Sequence, residues 1–195
     1  QGDEDALWGK LKRGGELNFH LLRRFFIDFA ADAVAYQPTQ GSDQTYQDIH
    51  SVFAKSLRTL AGKAGGTAPL CIIAHSLGTV IASNYIWDLQ SEFGGGKSTI
   101  KSNVKAAISD TPLEHGETLA SFYTLGSPLA VWSLRYDNFG MPVTIPSPAF
   151  NGRYPNVYGE WVNYYDRDDI IGYPLRSINN LYRKAVTADL KVAVG

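Results

Sequence analysis

Apolar residues recur with a helical period in three stretches of the chain, residues 17–29, 46–60 and 77–89. Because side chains three and four positions apart share one face of a helix, each stretch predicts an amphipathic helix. Short apolar runs bounded by turn residues predict strands instead. These runs are residues 33–36, 70–74, 119–125, 160–165 and 190–194.

Strands that alternate with helices predict an α/β fold, with a mostly parallel sheet and helices on both faces. A further short helix is predicted over residues 129–134, and four prolines in residues 141–155 indicate an excursion or lid-like loop. We expect residues 1–195 to form a single domain. Cys71, the lone cysteine, lies within the apolar run over residues 70–74 and is predicted to be a small buried hydrophobe.

The composition is that of an ordinary globular protein, with 44% hydrophobic and 19% charged residues in a chain of 195. The formal net charge of −1 gives no basic surplus for nucleic acid or an anionic membrane. No run approaches the roughly 18 to 20 apolar residues that a bilayer-spanning helix needs. We therefore expect no nucleic-acid partner and no stable membrane insertion, with a cytoplasmic location as the default.

A serine lies between an apolar run and a helix in the pentapeptide Ala74-His75-Ser76-Leu77-Gly78. This is the pattern of a nucleophile elbow, with alanine in place of the first glycine. A serine on such a sharp turn projects from the carboxyl end of the sheet. The residues two before and two after it must be small, because the strand and the helix pass close together. The pattern predicts that Ser76 is a catalytic nucleophile.

The two neighbours of Ser76 have predicted roles at the same turn. The first N–H groups of a helix point at developing negative charge, so the N–H of Leu77 is expected to be one donor of an oxyanion hole. His75 is adjacent to Ser76 on a tight turn, and its side chain should therefore point away from the serine. We expect His75 to line the cleft and not to be the catalytic imidazole.

Three motifs follow one another along the chain. They are Ile73-Ala74-His75-Ser76-Leu77-Gly78-Thr79, then Tyr123-Thr124-Leu125-Gly126-Ser127-Pro128, then Asn163-Tyr164-Tyr165-Asp166 through Asp169-Ile170-Ile171. Together they resemble the serine lipase and esterase branch of the α/β-hydrolase superfamily. More narrowly, they are similar to lipase class 3 and GPI inositol-deacylase-like sequences and their bacterial relatives.

The resemblance implies roles for residues of the second and third motifs. It implies that Asp169 is the acid of a catalytic triad, with Asp168 as the fallback and Asp166 as a structural residue. It also implies that Ser127 belongs to the wall of the active-site cleft. The alternative, Ser127 as a second nucleophile, is disfavoured because Pro128 does not continue into an elbow helix.

The triad histidine has no evident candidate in the sequence. Triad order places it after the acid, yet no histidine follows Asp169, and the four histidines of the chain are His20, His50, His75 and His115. No strand precedes the first helix, and the early loop that supplies a second oxyanion N–H is also missing. One interpretation is a chain that is partial at both ends, with the histidine beyond Gly195. The other is a degenerate relative.

These observations predict a serine hydrolase that acts on a carboxylic ester through an acyl-enzyme. A small-molecule ester or an acyl lipid is the expected partner, and neither a metal nor an organic cofactor is implied. The alternative is a catalytically inactive module that binds another molecule. A nucleotide-binding protein is a third possibility, but Gly94-Gly95-Gly96-Lys97 lacks the spacing of a phosphate loop.

Overall fold

The computed structural model describes residues 27, 31, 33, 35, 36, 44–96, 99–134 and 139–193. The chain divides into two compact units, Gln1–Tyr46 and Gln47–Gly195. The predicted helix over residues 17–29 lies outside the described residues, except for Ile27, which is helical. The strand predicted over 33–36 is wrong, since Ala33, Ala35 and Tyr36 are helical. Alanine is the strongest helix former, and its helix propensity prevails over the short apolar run.

Four strands and seven helical segments follow in chain order. They are α1 (Gln44–Ala64), β1 (Leu70–His75), α2 (Leu77–Phe93), α3 (Ser102–Lys105), β2 (Leu119–Leu125), α4 (Leu129–Ser133), α5 (Phe150–Arg153), β3 (Trp161–Asp166), a 3₁₀ turn (Leu175–Ser177), α6 (Asn180–Ala185) and β4 (Ala188–Val192). The helices predicted over 46–60, 77–89 and 129–134 are confirmed, as are the strands over 70–74, 119–125 and 160–165. The last predicted strand begins two residues earlier than expected.

The four strands form one parallel sheet in the order β1-β2-β3-β4. Leu125 of β2 pairs in register with His75 of β1 on one side and with Tyr164 of β3 on the other. The first three strands therefore reach their carboxyl ends at one edge of the sheet. Helical segments connect successive strands, which gives the chain an α/β architecture. Residues that follow β1, β2 and β3 are thereby brought together at that edge.

One face of the sheet is packed against the protein interior. Phe122 and Trp161 are fully buried there, with ring centroids 5.2 Å apart. Thr124 and Asn163, one row further along, are also fully buried and are joined by a 2.9 Å hydrogen bond. This face carries the polar network that supports the site described below.

In the described part of the chain, the other face is exposed at β1. Cys71 is exposed, not buried as predicted, and the Ile73 side chain is 71% exposed. Successive side chains of a strand point to opposite faces of the sheet. Cys71 and Ile73 alternate with the inward-facing residues of β1, so their side chains lie on the exposed face. Partial burial raises the pKa of the Cys71 thiol. On β2 the Tyr123 hydroxyl donates a 2.9 Å hydrogen bond to Glu160, which raises the pKa of Tyr123.

Two glycines at the end of α1 are expected to respond oppositely to alanine. Gly62 is helical and has open space around its Cα, so Gly62→Ala should raise the free energy of unfolding by about 0.5–1 kcal/mol. Gly65 terminates the helix with φ +97°, and its N–H donates to the carbonyl of Ala61. Gly65→Ala should lower that free energy by roughly 1 kcal/mol, because alanine is strained at positive φ. Urea unfolding of both variants measures the difference, and equal effects would contradict the assigned cap.

Candidate active site

Ser76 stands at the sharp turn between β1 and α2. Its backbone has φ 50° and ψ −132°, and it is the only non-glycine residue with positive φ in the described part of the chain. Its N–H donates to the carbonyl of Leu125, so the residue continues the pairing of β1 with β2 while it starts the helix. A strained backbone of this kind costs of order 1–3 kcal/mol and persists only where the surrounding structure enforces it.

The Ser76 hydroxyl is not used to cap the helix that begins beside it. Serine at a helix N-cap ordinarily accepts a hydrogen bond from an N–H of the first turn. Here the side chain makes no capping bond, and it has no hydrogen-bond partner among the residues that the structure describes. Thr79 N–H donates instead to the main-chain carbonyl of Ser76 (2.9 Å). The hydroxyl is therefore available to another molecule.

The N–H of Leu77 is the first of α2 and has no intrahelical acceptor. Because it belongs to the peptide unit that follows Ser76, it lies next to the serine side chain. A group that develops negative charge at this turn can accept a hydrogen bond from it and is favoured by the helix dipole. The geometry is compatible with the oxyanion role predicted for Leu77.

Asp169 follows β3 and approaches the turn after β2. A methyl group on Gly126 would lie 3.0 Å from Asp169 Oδ2, and one on Gly172 would lie 2.5 Å from it. The two glycines themselves pack closely, since a Gly172 methyl would be 3.0 Å from the Cα of Gly126. Asp169 Oδ1 accepts a 2.9 Å hydrogen bond from the N–H of Ile171. One carboxylate oxygen is thus anchored, while the other lies against the glycines.

His75 reaches the same place from β1. A methyl group on Gly126 would lie 3.8 Å from His75 Nε2 and 3.0 Å from Asp169 Oδ2. The His75 side chain is exposed, and within the described residues it forms neither an ion pair with Asp169 nor a hydrogen bond with Ser76. His75 therefore borders the space between the ends of the strands, and its role in lining a cleft stays a prediction.

Ser127 is placed differently from the cleft-wall position predicted for it. The residue is fully buried, and its Oγ lies 2.8 Å from Thr79 Oγ1. The turn after β2 directs Gly126 toward Asp169 and directs the Ser127 hydroxyl into the protein interior. The burial of this hydroxyl and its bond to Thr79 favour Ser76 over Ser127 as the nucleophile.

The other two acidic residues of the third motif occupy the turn after β3. Asp166 ends the strand, and its Oδ1 accepts a 3.1 Å hydrogen bond from the N–H of Asp168. Asp166 is thus a turn-forming residue, in keeping with the structural role expected of it. Asp168 is exposed, and its carboxylate has no contact with Gly126 comparable to that of Asp169. The geometry favours Asp169 over its fallback.

A buried amide and a carboxylate hold the segment that follows Asp169. Asn163 Nδ2 donates to Tyr173 O (3.1 Å) and to Asp189 Oδ1 (2.8 Å). The Asp189 carboxylate also accepts hydrogen bonds from the N–H groups of Leu175 and Arg176, each 2.9 Å long. The loop from residue 169 to 176 is therefore fastened to β3 and β4 at its far end, which fixes the course of the chain around Asp169.

The remaining described histidines lie away from this edge of the sheet. His50 is buried on α1, with Nδ1 3.1 Å from Asp88 Oδ2. His115 precedes β2, at the opposite end of that strand, and stacks on Phe93 with ring centroids 3.8 Å apart. His20 is outside the described residues. None of the described imidazoles forms a hydrogen bond with the Ser76 hydroxyl.

Sequence reasoning missed four residues that shape the site: Thr79, Asn163, Gly172 and Asp189. Thr79 and Asn163 belong to the motifs, but nothing in their spacing distinguishes a buried polar residue from an exposed one. Gly172 follows the apolar pair Ile170-Ile171, and its position there is a signal for close backbone approach. Asp189 lies in a strand, where an isolated carboxylate is itself an indication of a specific buried partner.

Comparisons with family models, with curated proteins and with solved structures give no match to this chain. The resemblance to serine lipases and esterases therefore remains a prediction from the three motifs. What the structure defines is an α/β protein with a four-stranded parallel sheet. In the part of the chain described, no helix is both long enough and apolar enough to cross a membrane.

Proposed function

We propose that the protein is a serine hydrolase of the α/β-hydrolase type that cleaves a carboxylic ester, with Ser76 as the nucleophile. The observation that carries the proposal is the backbone of Ser76, which adopts φ 50° at a strand-to-helix turn while its hydroxyl remains uncapped. Strain at a serine in this position has a ready explanation in catalysis, because it presents Oγ beside the N-terminus of a helix.

The neighbouring residues supply two further parts of the chemistry. When Ser76 Oγ attacks the acyl carbon, the carbonyl oxygen becomes an oxyanion that accepts a hydrogen bond from Leu77 N–H. Asp169 lies at the end of the strand two positions along the sheet from β1, where a carboxylate can orient an imidazole. A side chain on Gly126 or Gly172 would press against that carboxylate, so the two glycines leave room for it.

The proton of the Ser76 hydroxyl needs a base that also contacts Asp169. His75 borders the space but forms neither a hydrogen bond with Ser76 nor an ion pair with Asp169, so we assign the base to a histidine that is not among the described residues. In the proposed sequence this imidazole takes the proton from Oγ as the Oγ–C bond forms, then gives it to the departing alcohol. Water, deprotonated by the same imidazole, hydrolyses the acyl-enzyme and releases the acid.

The second candidate function is a non-catalytic module that uses the same cleft to bind a ligand. The observation that favours it is the Ser76 hydroxyl, which forms no hydrogen bond with an imidazole within the described ranges. A serine without its base is a poor nucleophile. The two candidates differ in one respect that can be measured, the reactivity of Ser76 toward an electrophile that mimics an ester.

Reaction of the native protein with a fluorophosphonate, followed by peptide mapping, distinguishes the two. We expect a single covalent adduct on Ser76, because this hydroxyl makes no capping bond and lies beside the N–H of Leu77 at the start of a helix. Heat-unfolded protein is the control, and it should not react. An adduct on another serine, or none, would contradict the hydrolase and favour the binding module.

A further inference from the structure

Two buried hydroxyls connect the turn at Ser76 to the turn after β2. Thr79 and Ser127 are both fully buried. Thr79 Oγ1 lies 2.8 Å from the carbonyl oxygen of Ser76 and 2.8 Å from Ser127 Oγ. The N–H of Leu129 is 3.4 Å from Ser127 Oγ. The four groups therefore form a continuous series of hydrogen bonds between the starts of two helices.

The direction of each bond follows from the number of protons available. The carbonyl oxygen of Ser76 can only accept, so Thr79 must donate its single hydroxyl proton to it. Ser127 must then donate to Thr79 Oγ1, since Thr79 has no second proton. The lone pairs of Ser127 Oγ accept from the Leu129 N–H. Every hydroxyl proton has one acceptor, and the series runs in one direction toward Ser76.

The acceptor of this series belongs to the same peptide unit as a group at the proposed site. The carbonyl of Ser76 and the N–H of Leu77 lie in one rigid plane and point in opposite directions. The Thr79 hydroxyl and the Thr79 N–H both hold that carbonyl on the interior side of the turn. The N–H of Leu77 is consequently held pointing away from these bonds, at the start of α2 beside Ser76.

We infer that Thr79 and Ser127 are positioning residues that fix the peptide between Ser76 and Leu77 for oxyanion binding. The inference rests on the proposed function, and it assigns to the second motif a role inside the protein. The same two hydroxyls link the segment of the nucleophile to that of the acid. Ser127 directly follows Gly126, and the Asp169 carboxylate lies against Gly126. Neither side chain touches substrate.

Replacement of Thr79 by valine or serine tests the role of its hydroxyl. Thr79→Val keeps the branched shape but removes the donor to Ser76, and we expect kcat for a p-nitrophenyl ester to fall about tenfold. KM should stay the same, because the series acts on a bond that forms during the reaction. Thr79→Ser retains the hydroxyl and should restore most of the rate. A Thr79→Val enzyme with unchanged kcat would overturn the inference.

Ser127→Ala and the double variant test whether the two hydroxyls act in series. Ser127→Ala should reduce kcat by roughly threefold, since Thr79 keeps its bond to Ser76 but loses its own donor. In the double variant Thr79→Val/Ser127→Ala, kcat should be no lower than in Thr79→Val alone, because one series is broken in both. If the two single-variant losses in kcat multiply in the double variant, the hydroxyls act independently and the inference is contradicted.

A measurement that needs no catalysis separates this inference from the proposed function. Amide hydrogen exchange at residue 79, whose N–H donates to the carbonyl of Ser76, should be faster in Thr79→Val than in Thr79→Ser, as followed by NMR, when thermal unfolding shows both to be folded. Faster exchange together with a wild-type protein that fails to react with the fluorophosphonate would retain the positioning role and reject the hydrolase. Unchanged exchange would reject the positioning role, whatever the activity.

Discussion

Ser76→Ala is expected to abolish the fluorophosphonate adduct and to lower kcat for ester hydrolysis by roughly 10⁴-fold or more. The loss should be this large because the whole reaction passes through a bond to Oγ, and residues of a triad act as a unit. Steady-state kinetics on a p-nitrophenyl ester, with the intact mass of the labelled protein, measures both effects. Retained turnover in Ser76→Ala would show that another group performs the chemistry.

Ser76→Gly is the matched variant for the backbone of the same residue. It removes the hydroxyl as alanine does, but glycine adopts positive φ without strain. Both variants should therefore be inactive, while Ser76→Gly should unfold at a free energy about 1 kcal/mol higher than Ser76→Ala. Equal stabilities would contradict the strain that the φ angle of 50° implies.

Asp169→Asn should lower kcat by roughly 10³- to 10⁴-fold, with little change in stability. Asparagine can keep an oxygen in place to accept from the N–H of Ile171, but it has no charge to stabilise an imidazolium. The amide also presents N–H groups where the imidazole must itself donate. The measurement is the pair of kinetic constants for the same ester, together with urea unfolding to verify that the variant is folded.

Asp168→Asn provides the control for Asp169→Asn, since the two residues are neighbours in the chain but their carboxylates have different surroundings. Asp168 is exposed and lies away from the Gly126 and Gly172 backbones, so its replacement should change kcat less than threefold. The two results together distinguish the acid from its fallback. A large loss in Asp168→Asn with a small one in Asp169→Asn would reverse the assignment.

The elements around the site were accessible from the sequence because their signals are local. The run over residues 70–74 is short, apolar and flanked by turn residues, and β1 occupies it. The spacing of Ala74, Ser76 and Gly78 encodes a tight turn, and Ser76 has the backbone that such a turn requires. The boundaries of β2 coincide with the predicted strand for the same reason.

The features that the sequence did not yield depend on contacts between distant residues. Residues 33–36 have the length of a strand, but alanine propensity and the preceding helical stripe outweigh that signal. Burial of Cys71 was inferred from its apolar neighbours, whereas exposure depends on which face of the sheet is covered. The hydrogen bond from Asn163 to Asp189 joins positions 26 residues apart, and the one between Thr79 and Ser127 joins positions 48 residues apart. No local sequence pattern specifies such partners.

The exposed Ile73 side chain has a consequence for how the molecule behaves in concentrated solution. Within the described residues β1 is hydrogen-bonded to β2 alone, so the main-chain groups of its alternate residues face outward at the rim of this sheet. An apolar rim strand is a template to which strands of other molecules add. Self-association should therefore begin at β1, and a lysine at position 73 would oppose it by placing charge on the strand that leads to Ser76.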